Sequence, residues 1–347
     1  MKLMVMIPCY NEEETLPATL RDIPRSIPGI DTIELLVVDD GCTDRTVEVA
    51  RTFGVHWVAR HVRNRGLAAA FQTGLDACLQ LGADIIVNTD GDNQYPQADI
   101  PRLIEPILRG EADIVVGDRQ TGTIAHFSPL KKVLQAFGSW VMRLASGTSV
   151  PDAPSGFRAY SREAALRLNV ITQYTYTLET LIQAGKKNLA VQHIPIRTNP
   201  QLRQSRLVRG LWDYVKKQGA TIVRLYALYE PLKVFFYLGI FFLALGAIPL
   251  LRFAYFYFAL GQLGTRYVQS LIIGSMLIMI GVLIIAIGLV ADLIASSRRL
   301  IEGVLYRVKK LELQQEGQTS PRAEAATLRP AARDDQPEYA GPGRRET

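Results

Sequence analysis

Two long stretches without a charged residue constrain this chain more than any other feature. They are Val234–Leu251 and Tyr267–Ala291, and the chain between them is short. At about 1.5 Å of rise per helical residue, each can cross the ~30 Å hydrocarbon layer of a bilayer. The alternative is a buried hairpin of a soluble domain, but core helices of this length normally keep a polar stripe. We therefore expect two membrane-spanning helices over residues 233–295.

The charges beside these stretches predict how the hairpin is oriented. Residues 203–233 carry seven Lys or Arg and two acids, and five more basic residues lie between 298 and 310. The link between the stretches contains only Arg252 and Arg266. By the positive-inside rule both termini are cytoplasmic, in a bacterial-type inner (plasma) membrane. The apolar part of the N-terminal MKLMVMIP is too short for a secretory signal.

The segments around the hairpin have distinct compositions. Residues 206–232 are juxtamembrane, and 209–231 mixes Lys and Arg with Trp and Tyr, as amphipathic helices at the headgroup level do. A plain solvent-facing helix is the alternative. Residues 296–314 are expected to form a basic cytoplasmic helix, and 315–347 a disordered tail. The remaining residues, 1–205, are long enough for one soluble domain.

Composition excludes several classes of protein. Hydrophobic residues make up 48% of the chain, which is too few for a polytopic carrier. The three cysteines are an odd number without metal-ligand spacing, which favours a reducing compartment over a disulfide scaffold. The net charge of +6 is concentrated beside the spans rather than on a separate face, which disfavours nucleic-acid binding.

Residues 1–120 alternate short apolar runs with helix-like segments, which predicts an α/β domain with a parallel, doubly wound sheet. The strand candidates are Leu3–Ile7, Ile33–Val38, His56–Ala59, Asp84–Asn88 and Ile114–Val116. The helix candidates are Asn11–Leu20, Asp44–Phe53, Ala68–Leu81 and Ala98–Leu108. Ligands of such sheets bind at the carboxyl ends of the strands, so the residues after each run are the candidates for function.

Acidic and polar residues follow four of these runs. Asp39-Asp40-Gly41 follows the second run, and Asp90-Gly91-Asp92 follows the fourth. Two carboxylates that are two residues apart can face one hard cation, and Mg²⁺ or Mn²⁺ prefers such oxygen ligands together with phosphate. No phosphate-binding loop of the P-loop type and no dinucleotide fingerprint is present. The four histidines form no metal-ligand pattern.

Six short motifs follow one another along the chain. They are Pro8-x-Tyr10-Asn11-Glu12, Val38-Asp39-Asp40-Gly41-x-x-Asp44, Asn64-x-Gly66, Asp90-x-Asp92-x-Gln94, Gly117-x-Arg119 and Ser155-Gly156-Phe157-Arg158. This ordered set resembles the family 2 glycosyltransferases with the GT-A fold, a Rossmann-like, mostly parallel sheet. Within that family it is similar to the polyprenyl-phosphate glycosyltransferases. The resemblance covers about residues 1–230, and the hairpin extends it to about 310.

The resemblance implies a role for each matching position. The nucleotide-sugar site comprises Pro8, Tyr10, Glu12, Asp39, Asp40, Asp90, Gly91 and Asp92. In it Asp39 accepts a hydrogen bond from the base, Asp40 lies near the diphosphate, and Asp90 and Asp92 hold the metal. The acceptor-phosphate site comprises Arg119, Lys131, Lys132, Ser155, Arg158, Arg197, Arg203 and Arg206. The implied catalytic residues are Asp152, Arg119 and Gln94.

Two positions depart from the family pattern. Cys42 stands where the family usually has serine, and its small size predicts little effect. Lys131 and Lys132 stand where relatives often have arginine. Lysine supplies charge without the bidentate geometry of a guanidinium, which leaves the placement of the acceptor phosphate there less defined.

The expected reaction is a single inverting displacement, in which a polyprenyl phosphate attacks a nucleotide-activated hexose. A phosphate dianion needs little help from a general base, so positioning and charge stabilisation are the main tasks. UDP-glucose, a UDP-N-acetylhexosamine and GDP-mannose remain open as donors, with a UDP-hexose preferred, and relatives indicate a tetramer. Alternatives are another lipid or polysaccharide acceptor, and a non-catalytic nucleotide-sugar sensor.

Overall fold

The computed structural model describes residues 1–120, 146–171, 176–199, 230–258, 268–316 and 328–330 of the 347-residue chain. These residues divide into two compact units. One contains the described residues up to 199 together with those from Lys309 onward, and the other contains residues 230–258 and 268–308. Lys131, Lys132, Arg203, Arg206 and most of the predicted amphipathic helix lie outside the described residues.

The first unit is an α/β sandwich around one mixed sheet. Its strands are β1 (Lys2–Cys9), β2 (Thr32–Asp39), β3 (Trp57–Arg60), β4 (Ile85–Asn88), β5 (Ile114–Asp118), β6 (Arg158–Ser161), β7 (Val191–Pro195) and β8 (Leu328–Pro330). Its helices are α1 (Leu16–Asp22), α2 (Thr46–Thr52), α3 (Leu67–Gln80), α4 (Ile100–Leu108), α5 (Arg162–Arg167) and α6 (Tyr176–Lys186). A short 3₁₀ turn, Gln97–Asp99, precedes α4.

The strand order of the sheet is β7-β5-β6-β4-β1-β2-β3-β8. The central strands β4, β1, β2 and β3 are parallel, which confirms the prediction for the first four apolar runs. The sheet is not parallel throughout, because β6 lies antiparallel between β4 and β5, and β8 is antiparallel to β3. An antiparallel β6 begins at the same edge where β4 and β5 end, so the motif before β6 faces the motifs after those strands.

Both faces of the sheet are covered because the central strands are apolar on both sides. Leu3, Val5 and Ile7 of β1 belong to a buried cluster with residues of α1 and α4. On the opposite face α3 packs against β1 and β2. Gly74 permits this close approach, since a Cβ at that position would lie 3.0 Å from atoms of Met6 and Val38. The sheet is thereby fixed between two helical layers, which holds its carboxyl edge in place.

The second unit contains two long apolar helices, α7 (Pro231–Phe258) and the part of α8 (Val268–Glu316) that precedes Lys309. Only 11% of the most apolar window of each helix is buried, which is opposite to what a soluble core hairpin requires. Both helices are long and apolar enough to span a membrane. The predicted basic helix 296–314 is not separate, because α8 continues without a break to Glu316.

Glycines hold these two helices close together. Gly239 faces Gly281 and Gly246 faces Gly274, so the helices run antiparallel. A Cβ on any of these four glycines would lie 2.9 Å from the carbonyl oxygen of its partner. Such contacts between small residues are how helices associate in lipid, where burial of apolar surface contributes little.

The C-terminal segment differs from the sequence expectation at one point. Residues 315–347 were expected to be a disordered tail, but Leu328–Pro330 forms the short strand β8 beside β3. The segment is poor in large apolar residues, so its composition alone gives no strand signal. Pairing with the exposed edge of an existing sheet requires backbone groups rather than a hydrophobic pattern.

Candidate active site

The carboxyl edge of the central parallel strands gathers the motifs that the sequence singled out. The strands β1, β2, β4 and β5 end there, and β6 begins there. The residues that follow or precede these ends are therefore brought together from positions as distant as 9 and 158. This arrangement matches the expectation that the carboxyl ends of the parallel strands carry the ligand site.

Asp90 is the acid at the centre of this edge. Its two carboxylate oxygens lie directly over Gly156, where a Cβ would be 3.1 Å from each of them. Any larger residue at position 156 would collide with the carboxylate or with the Tyr176 hydroxyl, 2.9 Å away. Among the residues that the structure describes, none donates a hydrogen bond to either Asp90 oxygen. A partly buried carboxylate without a donor is a strong candidate ligand for a cation.

The electrostatic setting of Asp90 supports the same interpretation. Burial, followed by the negative charge of Asp92, raises the pKa of Asp90 from its ordinary 3.8 to about 7. The positive charges of Arg119 and Arg158 act in the opposite direction. A carboxyl whose ionisation is disfavoured by burial and by a neighbouring carboxylate favours a divalent cation as its partner. The donor set therefore fits Mg²⁺ or Mn²⁺, with the remaining positions left to phosphate and water.

Asp92 and Gln94 occupy a short loop after β4 that is tied to the end of β7. Asp92 accepts a hydrogen bond from the backbone N–H of Gln94 at 3.1 Å. The Gln94 carbonyl accepts one from the Asn199 N–H at 2.9 Å, and the Asn93 carbonyl accepts one from the Asn199 side chain at 3.0 Å. The exposed Arg197 precedes Asn199 by two residues, so this loop and a basic side chain belong to one connected segment.

Arg119 and Asp152 form a bidentate ion pair. The Arg119 Nε donates to Asp152 Oδ2 at 2.7 Å and a terminal nitrogen donates to Oδ1 at 2.9 Å. The Arg119 backbone N–H also donates to Oδ2 at 3.2 Å. Asp152 is 1% exposed, whereas Arg119 is 21% exposed. Both Asp152 oxygens therefore accept hydrogen bonds from Arg119, and only the arginine of the pair is exposed to solvent.

Arg158 is a correction to the sequence-based assignment. It was expected to contact the acceptor phosphate, but its side chain is completely buried. The guanidinium donates to the carbonyls of Ala153, Ser155 and Thr177 and to the Thr180 hydroxyl, at 2.6–2.8 Å. These bonds hold the segment that carries Asp152 and Gly156. Arg158 therefore supports the site from inside the protein, and its guanidinium has no exposed surface to offer a phosphate.

Ser155 is also buried, which differs from the role expected for it. Its side chain is 0% exposed, and its backbone N–H donates to the Asp152 carbonyl at 3.2 Å. The Ser155 hydroxyl has no hydrogen-bond partner among the described residues. Ser155 is thus part of the turn between Asp152 and β6, and an acceptor phosphate cannot reach its hydroxyl without movement of that turn.

Asp39, at the end of β2, is the acid on the other side of the edge. It is completely buried, and its Oδ1 accepts a hydrogen bond from the Cys42 N–H at 2.7 Å. Its Oδ2 lies 3.0 Å from the Nε of Arg60, an ion pair whose arginine is 67% exposed. The orientation of that pair is not that of a hydrogen bond, so Oδ2 has no donor among the described residues. Because the Asp39 side chain is 0% exposed, a ligand could donate to this oxygen only after the groups that cover it move.

Asp40 is fully used inside the protein. Its Oδ1 contacts His61 Nδ1 at 2.7 Å and accepts the Arg65 N–H at 2.8 Å, and its Oδ2 accepts the Gly66 N–H at 2.9 Å. His61 in turn contacts the Thr73 hydroxyl at 2.9 Å. These bonds connect β2 to the loop that leads into α3. Asp40 thereby fixes the wall of the site, and none of its oxygens is left for a diphosphate without a rearrangement.

The first motif forms the floor between the two acidic pairs. Pro8 is buried within β1, opposite Val38 in the register, and Tyr10 is 41% exposed at the edge. Glu12 is nearly buried, accepts a hydrogen bond from Thr15 at 2.7 Å and packs against Gly91. A Cβ at Gly91 would lie 3.3 Å from Glu12 Cγ, so the glycine allows β1 and the Asp90 loop to approach.

Cys42 fits its position without strain. Its Sγ accepts a hydrogen bond from the Asn11 N–H at 3.2 Å and donates to the Cys9 carbonyl at 3.5 Å, as a serine hydroxyl would. Burial raises the pKa of the Cys42 thiol to about 12, so it remains protonated and is not a nucleophile. The preceding Gly41 has φ of +76°, and a Cβ there would lie 2.6 Å from the backbone of Arg63.

Sequence reasoning missed two groups of residues at this edge. Arg60 pairs with Asp39, and its only signal is its position directly after the third apolar run. Tyr95, Tyr176 and Asn88 form a buried support beneath Gly156, with Asn88 donating to the Gly156 carbonyl at 2.7 Å and to the Tyr176 hydroxyl at 2.8 Å. Burial raises the pKa of Tyr95 to about 12. Nothing in the local sequence marks these aromatic residues as more than core.

Comparison with known proteins identifies the family. A family model described as glycosyl transferase family 2 matches residues 4–168. An uncharacterized protein of Methanocaldococcus jannaschii is 34% identical over 202 residues, which cover 57% of this chain and 81% of that protein. This chain belongs to glycosyl transferase family 2. The undecaprenyl-phosphate mannosyltransferase of Micrococcus luteus is 29% identical over 222 residues, covering 61% of this chain and 89% of that protein.

The family 2 assignment agrees with the fold. Glucosyl-3-phosphoglycerate synthase from Mycobacterium tuberculosis, solved with Mn²⁺, UDP and glucosyl-3-phosphoglycerate, superposes with a TM-score of 0.51 at 23% identity. The match covers 65% of this chain and 78% of that one. The first unit therefore has the GT-A fold, and this family 2 member is a glycosyltransferase that resembles the polyprenyl-phosphate sugar transferases and carries two apolar C-terminal helices.

Proposed function

We propose that this glycosyltransferase transfers a hexose from a nucleotide sugar, preferably UDP-linked, to a polyprenyl phosphate such as undecaprenyl phosphate, with inversion at the anomeric carbon. The observation that carries the proposal is the contrast at one edge of the sheet. Asp90 lacks hydrogen-bond donors among the described residues, while Arg119 is held nearby by a buried carboxylate. An uncompensated acid and a pre-oriented cation suit a metal-bound diphosphate and a phosphate nucleophile.

Asp90 and Asp92 would hold the metal, and the other groups would bind the donor. A bound Mg²⁺ or Mn²⁺ would stabilise the negative charge that develops on the departing nucleoside diphosphate. Asp39 would accept a base N–H through its Oδ2, which has no donor in the described part of the chain. Tyr10 is exposed beside it and can cover the base or ribose. Gln94 would contact the sugar or a water at the metal.

Arg119 would bind the acceptor phosphate and Asp152 would keep it in position. The bidentate geometry fixes the plane of the guanidinium, and 21% of the Arg119 side chain is exposed, where it could meet a phosphate oxygen. Asp152 would therefore act through Arg119 rather than as a base. The phosphate dianion attacks the anomeric carbon, and the bond to the diphosphate oxygen breaks on the opposite side. No proton needs to be removed from such a nucleophile.

The apolar helices explain why the acceptor is a lipid. An isoprenoid chain stays in the bilayer while its phosphate lies at the headgroup level, and α7 and α8 would keep the enzyme in that bilayer. We propose that both termini and the GT-A unit are cytoplasmic, on the evidence of the flanking basic residues. Arg197, Arg203, Arg206, Lys131 and Lys132 would add positive charge toward the acceptor, and the assembly would be a homo-oligomer, as the family resemblance indicates.

The test uses the full chain in nanodiscs that contain undecaprenyl phosphate. Radiolabelled UDP-glucose, UDP-N-acetylglucosamine and GDP-mannose are supplied separately with Mn²⁺, and label is followed by lipid extraction. We expect one donor to label the lipid, and the label to disappear when EDTA replaces Mn²⁺. The same assay with Asp92→Ala is the matched control. Label recovered in a polymer, or no transfer from any donor, would contradict the proposal.

The second candidate is mannose as the transferred sugar. It is favoured by the similarity to the undecaprenyl-phosphate mannosyltransferase of Micrococcus luteus. The match covers 89% of that protein's length. The same three-donor panel decides between the two, because transfer from GDP-mannose alone would assign a mannosyltransferase. The described base pocket does not discriminate by itself, since Asp39 can accept an N–H from uracil or from guanine.

A further inference from the structure

The strand β3 is the last parallel strand on the donor side of the sheet. It has only four residues, Trp57–Arg60, and its parallel partner on one side is β2. On its other side lies β8, whose register pairs Trp57 with Pro330, Val58 with Arg329 and Ala59 with Leu328. The C-terminal segment therefore converts β3 from an edge strand into an internal one.

The carboxyl end of β3 supports both acids of the donor side. Arg60, its last residue, pairs with Asp39 at 3.0 Å. The next residue, His61, donates its backbone N–H to the Asp39 carbonyl at 2.8 Å and contacts Asp40 through its ring. A shift of β3 would therefore move Arg60 relative to Asp39 and loosen the loop that Asp40 holds.

The segment that carries β8 is anchored to the same unit before the strand begins. Lys309 of α8 forms an ion pair with Asp76 of α3 at 2.7 Å. The end of α8 at Glu316 and the start of β8 are separated by only the residues 317–327. A short connection of this kind gives a high effective concentration, on the order of millimolar, of the strand at its binding edge.

We propose that Leu328–Pro330 is a positioning strand for the donor site, which fixes β3 and through it Arg60 against Asp39. The inference rests on the proposed function, because it takes Asp39 and Arg60 to line the donor pocket. Its partner surface is the open edge of β3, which accepts an extended antiparallel segment through backbone hydrogen bonds. The strand contributes no group to the reaction, so it acts on donor affinity rather than on the chemical step.

The alternative is that β8 only protects an exposed edge from aggregation. Both explanations predict that loss of the strand exposes β3, but only the positioning role predicts a specific loss of donor affinity. A split between the kinetic parameters of the two substrates therefore separates them.

The test compares two truncated chains and two proline variants. One chain ends at Glu316 and lacks β8, and its control ends at Ala332 and keeps it. The variant L328P/R329P removes every N–H from the strand, because position 330 is already proline, and A326P/A332P places the prolines outside it. Each protein retains both apolar helices, and each is purified and assayed in the same nanodiscs as the parent.

We expect the chain without β8 and L328P/R329P to show a KM for the nucleotide sugar raised roughly 5-fold, a size typical of coupling between sites. The KM for undecaprenyl phosphate and the kcat should stay at the parental values, and the two controls should match the parent. Adding a synthetic peptide of residues 317–347 to the truncated chain should restore the donor KM. A donor KM that does not change, or an equal rise in both KM values, would overturn the inference.

Two further measurements decide the inference even if no sugar is transferred by any chain. Hydrogen exchange of the amides of Trp57–Ala59 should be faster only in the two proteins that lack β8 pairing. Calorimetric binding of UDP and of GDP with Mn²⁺ should weaken in those same proteins. Unchanged exchange would show that β8 does not pair with β3, whereas absence of transfer with intact nucleotide binding would count against the proposed function alone.

Discussion

Two pairs of acids, Asp39 with Asp40 and Asp90 with Asp92, lie at the same edge of the sheet and differ in how many hydrogen bonds they accept from the chain. The Asp40 carboxylate receives three contacts from the chain, and that of Asp39 receives a backbone N–H and the charge of Arg60. Asp92 receives one backbone N–H, and Asp90 receives none from the described residues. The chain thus satisfies Asp40 and one oxygen of Asp39, and it leaves the other Asp39 oxygen and both Asp90 oxygens without a donor among the described residues. Satisfied carboxylates stabilise the fold, whereas a buried carboxylate without a donor costs stability, which a bound cation or donor would offset.

The largest expected effect comes from removing the charge of the unsatisfied pair. Asp90→Asn keeps the side-chain volume but loses a metal ligand, so transfer to undecaprenyl phosphate should fall on the order of 10³-fold. The thermal midpoint of the metal-free variant at pH 8 should stay level or rise, because an uncompensated buried charge is gone. A marked drop in that midpoint would place Asp90 with the structural acids instead.

The pair Arg119 and Asp152 tests whether an acid can matter for the reaction without touching substrate. Asp152→Asn removes the charge that orients Arg119, and kcat should fall about 10²-fold from misplacement of the guanidinium. Arg119→Lys should cause a similar loss, and the double variant should lose little more than either single one. Steady-state kinetics on the four proteins give the coupling. Strictly additive losses would show that Asp152 acts independently of Arg119.

For Asp40 we expect the opposite result, a loss of stability on substitution. Asp40→Asn turns one acceptor oxygen into a donor that faces the N–H groups of Arg65 or Gly66, and the free energy of unfolding should fall by about 3 kcal/mol. Chemical denaturation of the GT-A unit, followed by Trp fluorescence, measures this. Glu48→Gln on α2 changes an exposed acid by the same chemistry and serves as the control. Equal stabilities would remove the distinction between the pairs.

The pH dependence of metal binding is a finer test of the unsatisfied pair. Because the pKa of Asp90 is raised to about 7, protons compete with Mn²⁺ below that pH. Affinity for Mn²⁺ should weaken about tenfold for each pH unit below 7 and level off above it. In the metal-free protein the free energy of unfolding has the opposite pH dependence from the metal affinity. Stability from the protonated carboxyl is full below its ordinary pKa of 3.8 and is lost as the pH rises to about 7.

Titration by electron paramagnetic resonance between pH 5.5 and 8.5 would check the metal affinity. The variant Asp90→Asn should show a weak affinity with little pH dependence over the same range. A flat profile in the parent protein would mean that Asp90 is already ionised throughout and that its environment is better compensated than the geometry indicates.

The smallest effect is expected at the one position where the donor side departs from its family pattern. Cys42→Ser keeps the acceptor for the Asn11 N–H and the donor to the Cys9 carbonyl. Transfer should change by no more than about twofold, and the free energy of unfolding by less than about 1 kcal/mol. Cys42→Val, of similar size but without hydrogen bonding, is the comparison and should cost more. A large loss in the serine variant would give the sulfur a specific role.

Sequence patterns predicted the parts of this protein that depend on hydrophobicity. The first five strands and both apolar helices follow from uninterrupted apolar runs, and the acids fall where parallel strands end. The strands β6, β7 and β8 were not predicted, since Arg158–Ser161, Val191–Pro195 and Leu328–Pro330 are short and carry no clear hydrophobic period. Their positions are set by the edges of strands that are distant in the sequence.

The roles of individual charged residues were harder to predict than the fold. Arg158 lies in a motif at the ligand-binding edge of the sheet, and only its bonds to α6 and to the preceding turn show that it is buried. Asp152 and Arg119 are 33 residues apart, so their pairing has no local signature. In both cases the missing information is which polar partner satisfies a charge, and that is decided by tertiary contacts rather than by residue type.

The glycine contacts between α7 and α8 affect how the hairpin can adapt to bilayers of different thickness. With backbone against backbone at Gly239–Gly281 and Gly246–Gly274, neither helix can slide or splay without losing contact along its whole length. In a thicker or thinner bilayer the two helices should therefore change their tilt together, and they should not separate from each other. Isoprenoid chains would then be met only by its outer, side-chain-bearing faces.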